Sequence, residues 1–215
     1  MLELLFSSPG VFVIYIFALL LAVTVHEFSH AKVADYLGDP TPRLQGRISF
    51  NPVRHLDPTG ILFLLFFGFG WGKPVEFDPF NLKNPRKDAG LISIAGPISN
   101  FILASICAIL MRLFLFFDQV TLVTIGNNIL APVIMLNIIL GVFNLIPIHP
   151  LDGFKIVGAL LSSERAREWY QLERFGLIFL LLLIIPIGGS NMLSTIIRPI
   201  VNVVLSFLIP SAGRL

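Results

Sequence analysis

Long apolar runs, separated by short polar stretches rich in turn residues and basic charge, set the pattern of this chain. The first runs from Val11 to about Leu37, long enough to cross a bilayer as a helix, and Gly38-Asp39-Pro40 ends it. Between Pro40 and Pro58 the chain is polar and carries Arg43, Arg47 and Arg54, and Arg47 to Pro52 predicts a short strand leading into a turn. Ile61 to Trp71 is intensely apolar but only about eleven residues, too short to span as a helix. Basic residues stand on both sides of it, so it is expected to dip in and return, as a re-entrant loop or an edge hairpin, with the glycines between Phe66 and Gly72 making the reversal. Ala89 to Phe117 and Thr124 to Leu145 predict a second and a third crossing. Prolines stop regular helix between Asn144 and Gly153, and an amphipathic surface helix is expected around Glu164 to Glu173. Phe175 to Ile209, broken by Pro186 and Gly188-Gly189, is either a tight pair of short spans or one span plus an interfacial segment. The expected fold is an all-α polytopic integral membrane protein of about four to six membrane segments with a short re-entrant or β-hairpin element. Residues 1–215 are read as a single membrane-embedded domain.

Composition reinforces the pattern. Hydrophobic residues make up 55% of the chain and charged ones 13%, far from the mixture of a soluble globular protein. The net charge of +2 gives no basic surface for nucleic acid. The basic clusters at 43–54, 73–87 and 155–174 fall on one side of the membrane, which the positive-inside rule makes cytoplasmic, with the N-terminus outside. Cys107 is the only cysteine, which excludes an intrachain disulfide and a cysteine-based metal site. Glu3, with no basic cluster before the first apolar run, argues for a retained helix over a cleaved signal peptide.

Ionisable residues inside a membrane-length segment are expensive and point to function. His26 and His30 lie one helical turn apart in the last third of the first run, so both imidazoles can reach one metal ion. Glu27 beside them is placed to act as a general base on water. Two histidines leave a zinc site short of ligands, and Asp152, in the proline-bracketed loop that reaches the same membrane face, is the strongest candidate for the third. Asp152 serves equally well as an N-cap for the helix that follows, and the sequence leaves both roles open. Two imidazoles and a carboxylate favour zinc over magnesium. His55 is expected to face solvent, His149 is left out of the ligand set, and Gly96 and Asn100 read as a helix-packing pair with an interhelical hydrogen bond.

These residues complete a resemblance to the site-2 protease family of intramembrane zinc metalloproteases, the M50 peptidases. The family's HExxH motif is matched by His26-Glu27-Phe28-Ser29-His30. Its NxxPxxxLDG motif is matched by Asn144-Leu145-Ile146-Pro147-Ile148-His149-Pro150-Leu151-Asp152-Gly153, and its intervening glycine-proline-asparagine motif by Gly96-Pro97-Ile98-Ser99-Asn100. The resemblance implies that His26, His30 and Asp152 hold Zn, that Glu27 activates water, and that Asn144 orients the substrate or stabilises oxyanion charge. It further implies a multi-pass protein of the cell membrane that cuts transmembrane protein or peptide substrates near the cytoplasmic face. The chain has no room for an inserted PDZ module or a CBS pair, so regulation is expected from a homo-oligomer, a membrane partner or substrate access. The residues alone also admit a membrane metallohydrolase of a non-peptide substrate and a non-enzymatic metal-binding protein. Ile61 to Trp71 is a candidate strand edge for an extended substrate.

Overall fold

The computed structural model describes residues 1–67, 70–187 and 190–209. A short helix α1 (Leu2–Ser7) precedes α2 (Pro9–Tyr36), which Pro9 opens and Gly38, in the left-handed region at φ 110°, follows. After the single turn α3 (Thr41–Leu44) come α4 (Pro58–Phe67) and the long α5 (Pro85–Phe116). Helix α6 (Val120–Ile125) runs through a π-helical turn into α7 (Ala131–Asn144). The chain closes with α8 (Asp152–Leu160), α9 (Ser163–Gln171), α10 (Gly176–Ile184) and α11 (Met192–Leu208).

Three of these helical segments have the length and apolar character to cross a membrane: Pro9–Tyr36, Pro85–Phe116 and Val120–Asn144. They begin and end close to the predicted crossings, and their mutual contacts form the core. Small residues let them approach. Ala18, Ala22, Ala31 and Ala34 of α2 are fully buried, as are Ala104 and Ala108 of α5, while Ile134 and Ile138 of α7 fill the space between. The opposite faces present Val13, Phe17, Ile102, Ile106 and Ile109 outward, as a lipid-facing surface requires. Cys107 is buried in this core as a free thiol.

Ile61 to Trp71 comes back on itself through a helix and not an edge hairpin. After α4 the chain returns beside its own start: Leu56 pairs with Gly72 in an antiparallel bridge, and the Lys73 N–H donates to the His55 carbonyl at 2.8 Å. A Cβ on Gly60 would lie 2.0 Å from the Trp71 carbonyl oxygen, so the close return requires glycine there. Gly68 and Phe69, within the stretch expected to make the reversal, lie outside the described residues. A helical Ile61 to Phe67 offers no strand edge to a substrate; the piece after it, from Lys73 to Asp78, is in neither helix nor strand.

The predicted strand from Arg47 to Pro52 is absent. The buried Arg47 guanidinium donates to the carbonyls of Arg54 and Lys73, and the Asn51 side chain accepts the Val53 N–H to cap a 3-10 turn over Pro52–His55. Those bonds fold the segment back on itself instead of leaving it extended. The expected surface helix forms as α9, a separate element docked on α8 by a bond from Trp169 Nε1 to the Phe154 carbonyl (2.8 Å) and by stacking of the two rings. At the C-terminal end, α10 and α11 are two apolar helices joined through an antiparallel pairing of Pro186–Ile187 with Ser190–Asn191, which resolves that region as a helical pair with α11 packed on α7. Gly188-Gly189, the break predicted there, lies outside the described residues.

Candidate metal centre

The C-terminal ends of α2 and α7, the N-terminal part of α5 and the start of α8 meet at one end of the bundle. There His26, His30 and Asp152 converge. His26 and His30 are 4% and 7% exposed. Their Nε2 atoms are 3.0 Å apart, and each lies 3.2 Å from Oδ2 of Asp152.

The remaining hydrogen bonds fix the tautomers. Asn100 Nδ2 donates to the Ala22 carbonyl (3.1 Å) and to Asn137 Oδ1 (2.8 Å), so Asn100 Oδ1 is an acceptor, and it takes the Nδ1 proton of His26 at 2.6 Å. His30 Nδ1 donates to the Ile92 carbonyl at 2.7 Å. Both Nε2 lone pairs are left facing Asp152 Oδ2, a buried oxygen with no hydrogen-bond donor. Three electron-rich atoms held this close repel one another unless a cation sits among them. Tetrahedral zinc, with bonds of about 2.0–2.1 Å, sets neighbouring donor atoms about 3.3 Å apart, close to what these residues supply. The donor set therefore fits zinc, with three protein ligands and room for a fourth position.

Two glycines bring the elements to this point. A Cβ on Gly96 would stand 2.4 Å from His30 Nε2 and 2.6 Å from His26 Cε1, so α5 can lie against both rings only because that residue has no side chain. A Cβ on Gly153 would meet the Leu145 and Ile146 carbonyl oxygens at 2.3 and 2.5 Å. Its bare α-carbon lets α8 start tight against the turn that ends α7, which aims Asp152.

Glu27 follows His26 on α2. Its Oε2 accepts the Val75 N–H at 3.0 Å and lies 3.8 Å from Nη2 of Arg47. The piece from Lys73 to Asp78 is thus tied to the carboxylate through Val75, and Arg47, 3% exposed, ties that piece to the Arg54 loop. Burial pushes the Arg47 guanidinium down from its ordinary value, with Glu27 and Glu76 opposing the shift.

Asn144 ends α7, and one of its N–H groups bonds back to the Leu140 carbonyl at 3.0 Å, leaving the other donor of the amide uncommitted by that bond. His149 is apart from the donor cluster: its Nε2 pairs with Glu173 at 3.2 Å and its ring packs edge-on against Phe154. His55 does not face solvent. It is fully buried, with Nε2 donating to the Ser49 carbonyl at 2.7 Å, because the returning chain at Gly72 and Lys73 covers it.

Sequence reasoning took Asn100 for a packing residue, whereas its interhelical bond goes to a candidate ligand histidine. It missed Asn137, Arg47 and Val75. A buried asparagine in an apolar helix was a signal for Asn137; nothing in the sequence marked Arg47 among the other arginines.

Residues 14–126 and 119–184 match the family model described as Peptidase family M50. "Putative zinc metalloprotease YwhC" of Bacillus subtilis is 38% identical over 178 residues, covering 81% of this chain and 81% of that protein. "Putative zinc metalloprotease Rip2" of Mycobacterium tuberculosis is 31% identical over 183 residues, covering 82% of this chain and 68% of that protein. No solved structure matches this chain.

Proposed function

From the premise that this chain belongs to peptidase family M50 and is a zinc metalloprotease with membrane-spanning helices, we propose that it is an intramembrane endopeptidase cutting transmembrane protein substrates near the cytoplasmic face. The observation that carries this reading is the placement of His26, His30 and Asp152, buried together at one end of the membrane-length helices. A hydrolase that acted on soluble peptides would have no reason to sink its ligands into an apolar bundle.

In this reading His26, His30 and Asp152 hold the metal, and Asn100 and the Ile92 carbonyl keep the two imidazoles in the ligating tautomer. Bound zinc supplies a Lewis acid that polarises the scissile carbonyl and activates a water molecule. Glu27 takes the proton of the attacking water and returns it to the leaving amine. The Val75 N–H and Arg47 hold the Glu27 carboxylate in place for that transfer. Asn144 offers its second N–H to the substrate carbonyl. The substrate must unwind locally, since a helical peptide bond is shielded. The basic clusters flanking the helix ends near the site support a cytoplasmic orientation.

The test compares wild type and Glu27→Gln, reconstituted at equal zinc content, on a panel of single-span membrane peptides, with products identified by mass spectrometry. Chelator-sensitive cleavage by wild type and a loss of about 10²–10⁴-fold in the variant is the expected result. Equal cleavage by both proteins removes Glu27 as the base, and cleavage confined to soluble peptides removes the intramembrane assignment.

A further inference from the structure

A cavity of about 450 Å³ is lined by Arg86, Lys155 and Arg167, together with Tyr170, Phe77 and Pro79. Among the described residues none of the three cations stands in an ion pair. Nη1 of Arg86 is buried with no hydrogen-bond partner at all. No carboxylate lines the cavity. Asp88 accepts the Asn84 N–H at 2.8 Å, Glu173 pairs with His149, and Asp152 faces the two candidate ligand histidines.

Three cations lining one concave site that has no carboxylate in its lining call for an anion. The position of the site says which anion. Arg86 lies in the first turn of the membrane-length helix α5, and Leu91, one turn further along, is already exposed as lipid-facing residues are, so the cavity sits at headgroup depth. One wall is apolar: Phe77 and Pro79 can take a glycerol backbone, and the Lys155 ammonium lies 4.9 Å from the Phe77 ring centroid, between the apolar wall and the basic one. We infer that this cavity binds the phosphate headgroup of an anionic phospholipid from the surrounding leaflet, held by Arg86, Lys155 and Arg167.

Lys155 is on α8, the helix that begins with Asp152, and Phe77 is two residues beyond the N–H that holds Glu27. A lipid seated here braces both walls of the metal centre.

The test titrates the full chain in a neutral detergent with short-chain phosphatidylglycerol, short-chain phosphatidylcholine and inorganic phosphate, counting bound molecules by native mass spectrometry. Phosphatidylglycerol is expected to saturate one site that phosphatidylcholine does not fill. Arg86→Gln and Lys155→Gln should each weaken it about tenfold, as loss of one charge-assisted hydrogen bond does. Arg165→Gln, the same charge change on α9 but outside the cavity, should leave it unaltered. Arg167 is exposed, so Arg167→Gln reads the same site should the half-buried Arg86 be needed for folding. Equal weakening by Arg165→Gln would mean diffuse surface attraction and would overturn the site. Equal affinity for phosphatidylcholine overturns it as well, and free phosphate binding as tightly as the lipid assigns the cavity to a soluble anion instead.

Discussion

Asn100 takes the Nδ1 proton of His26 at 2.6 Å while its own amide is held by Ala22 and Asn137, so one fully buried side chain on α5 dictates which nitrogen of a ligand on α2 is free. Removing such a partner typically weakens metal binding about 10–100-fold. Asn100→Ala should therefore lower zinc affinity by that order, read by competition with a chromophoric chelator, while the helical content of the protein is retained. Unchanged affinity would show that His26 finds its tautomer without help.

Gly96→Ala places a methyl group where His30 Nε2 and His26 Cε1 now stand. The rings must turn away or the helices must separate. The expected outcome is loss of stoichiometric zinc and of proteolysis in a protein that still inserts into membranes, because the rest of α5 keeps its contacts with α2 and α7. Zinc itself should then raise the thermal midpoint of wild type and have little effect on this variant; at a free concentration of 100 times Kd the linkage amounts to about 2.7 kcal/mol.

Arg47 joins two loop carbonyls and faces Glu27. Arg47→Met strands both carbonyls, each lost partner costing about 1–3 kcal/mol, and loosens the piece that carries Val75. Turnover should fall with zinc content unchanged, since Arg47 touches no metal ligand. Arg47→Lys keeps the charge but reaches only one carbonyl, and should recover part of kcat. Loss of zinc in either variant would place the damage in the metal centre and not at the base.

Asp39 closes α2 with four acceptances: the Thr41 N–H and hydroxyl and the Asn81 amide at Oδ1, and the Asp78 N–H at Oδ2. Burial raises its pKa, but these donors outweigh that effect and leave it lowered. A depressed carboxyl stabilises the fold fully above its unfolded value, about 3.9, and the contribution is lost as pH falls through the lower folded value. Wild type should thus lose stability on acidification below about pH 4 more steeply than Asp39→Asn, while at neutral pH the variant is the weaker by about 1–3 kcal/mol. Denaturant midpoints at a series of pH values check both signs.

How much of this was written in the sequence depends on whether the information is local. His26 and His30 were legible because a fixed helical spacing puts them on one face, and Asp152 because prolines and Gly153 mark where the chain turns at a membrane surface. Gly153 acts through a missing Cβ between two carbonyls, whereas among the described residues left-handed glycines occur only at Gly38 and Gly46. His55 was misplaced because its burial depends on a segment that returns seventeen residues later, and no local pattern encodes that return. Arg47, Val75 and Asn137 act only through contacts between distant stretches, which spacing along the chain does not encode.

The bridge between Leu56 and Gly72 has a bearing on how such a protein diversifies. Leu56 and Gly72 close the segment between them like a doorway, so what lies beyond it can lengthen, shorten or change its apolar content while the threshold stays put. A lineage can alter α4 without disturbing the bond between His55 and Lys73, which leaves the excursion and the chemistry free to evolve on separate schedules.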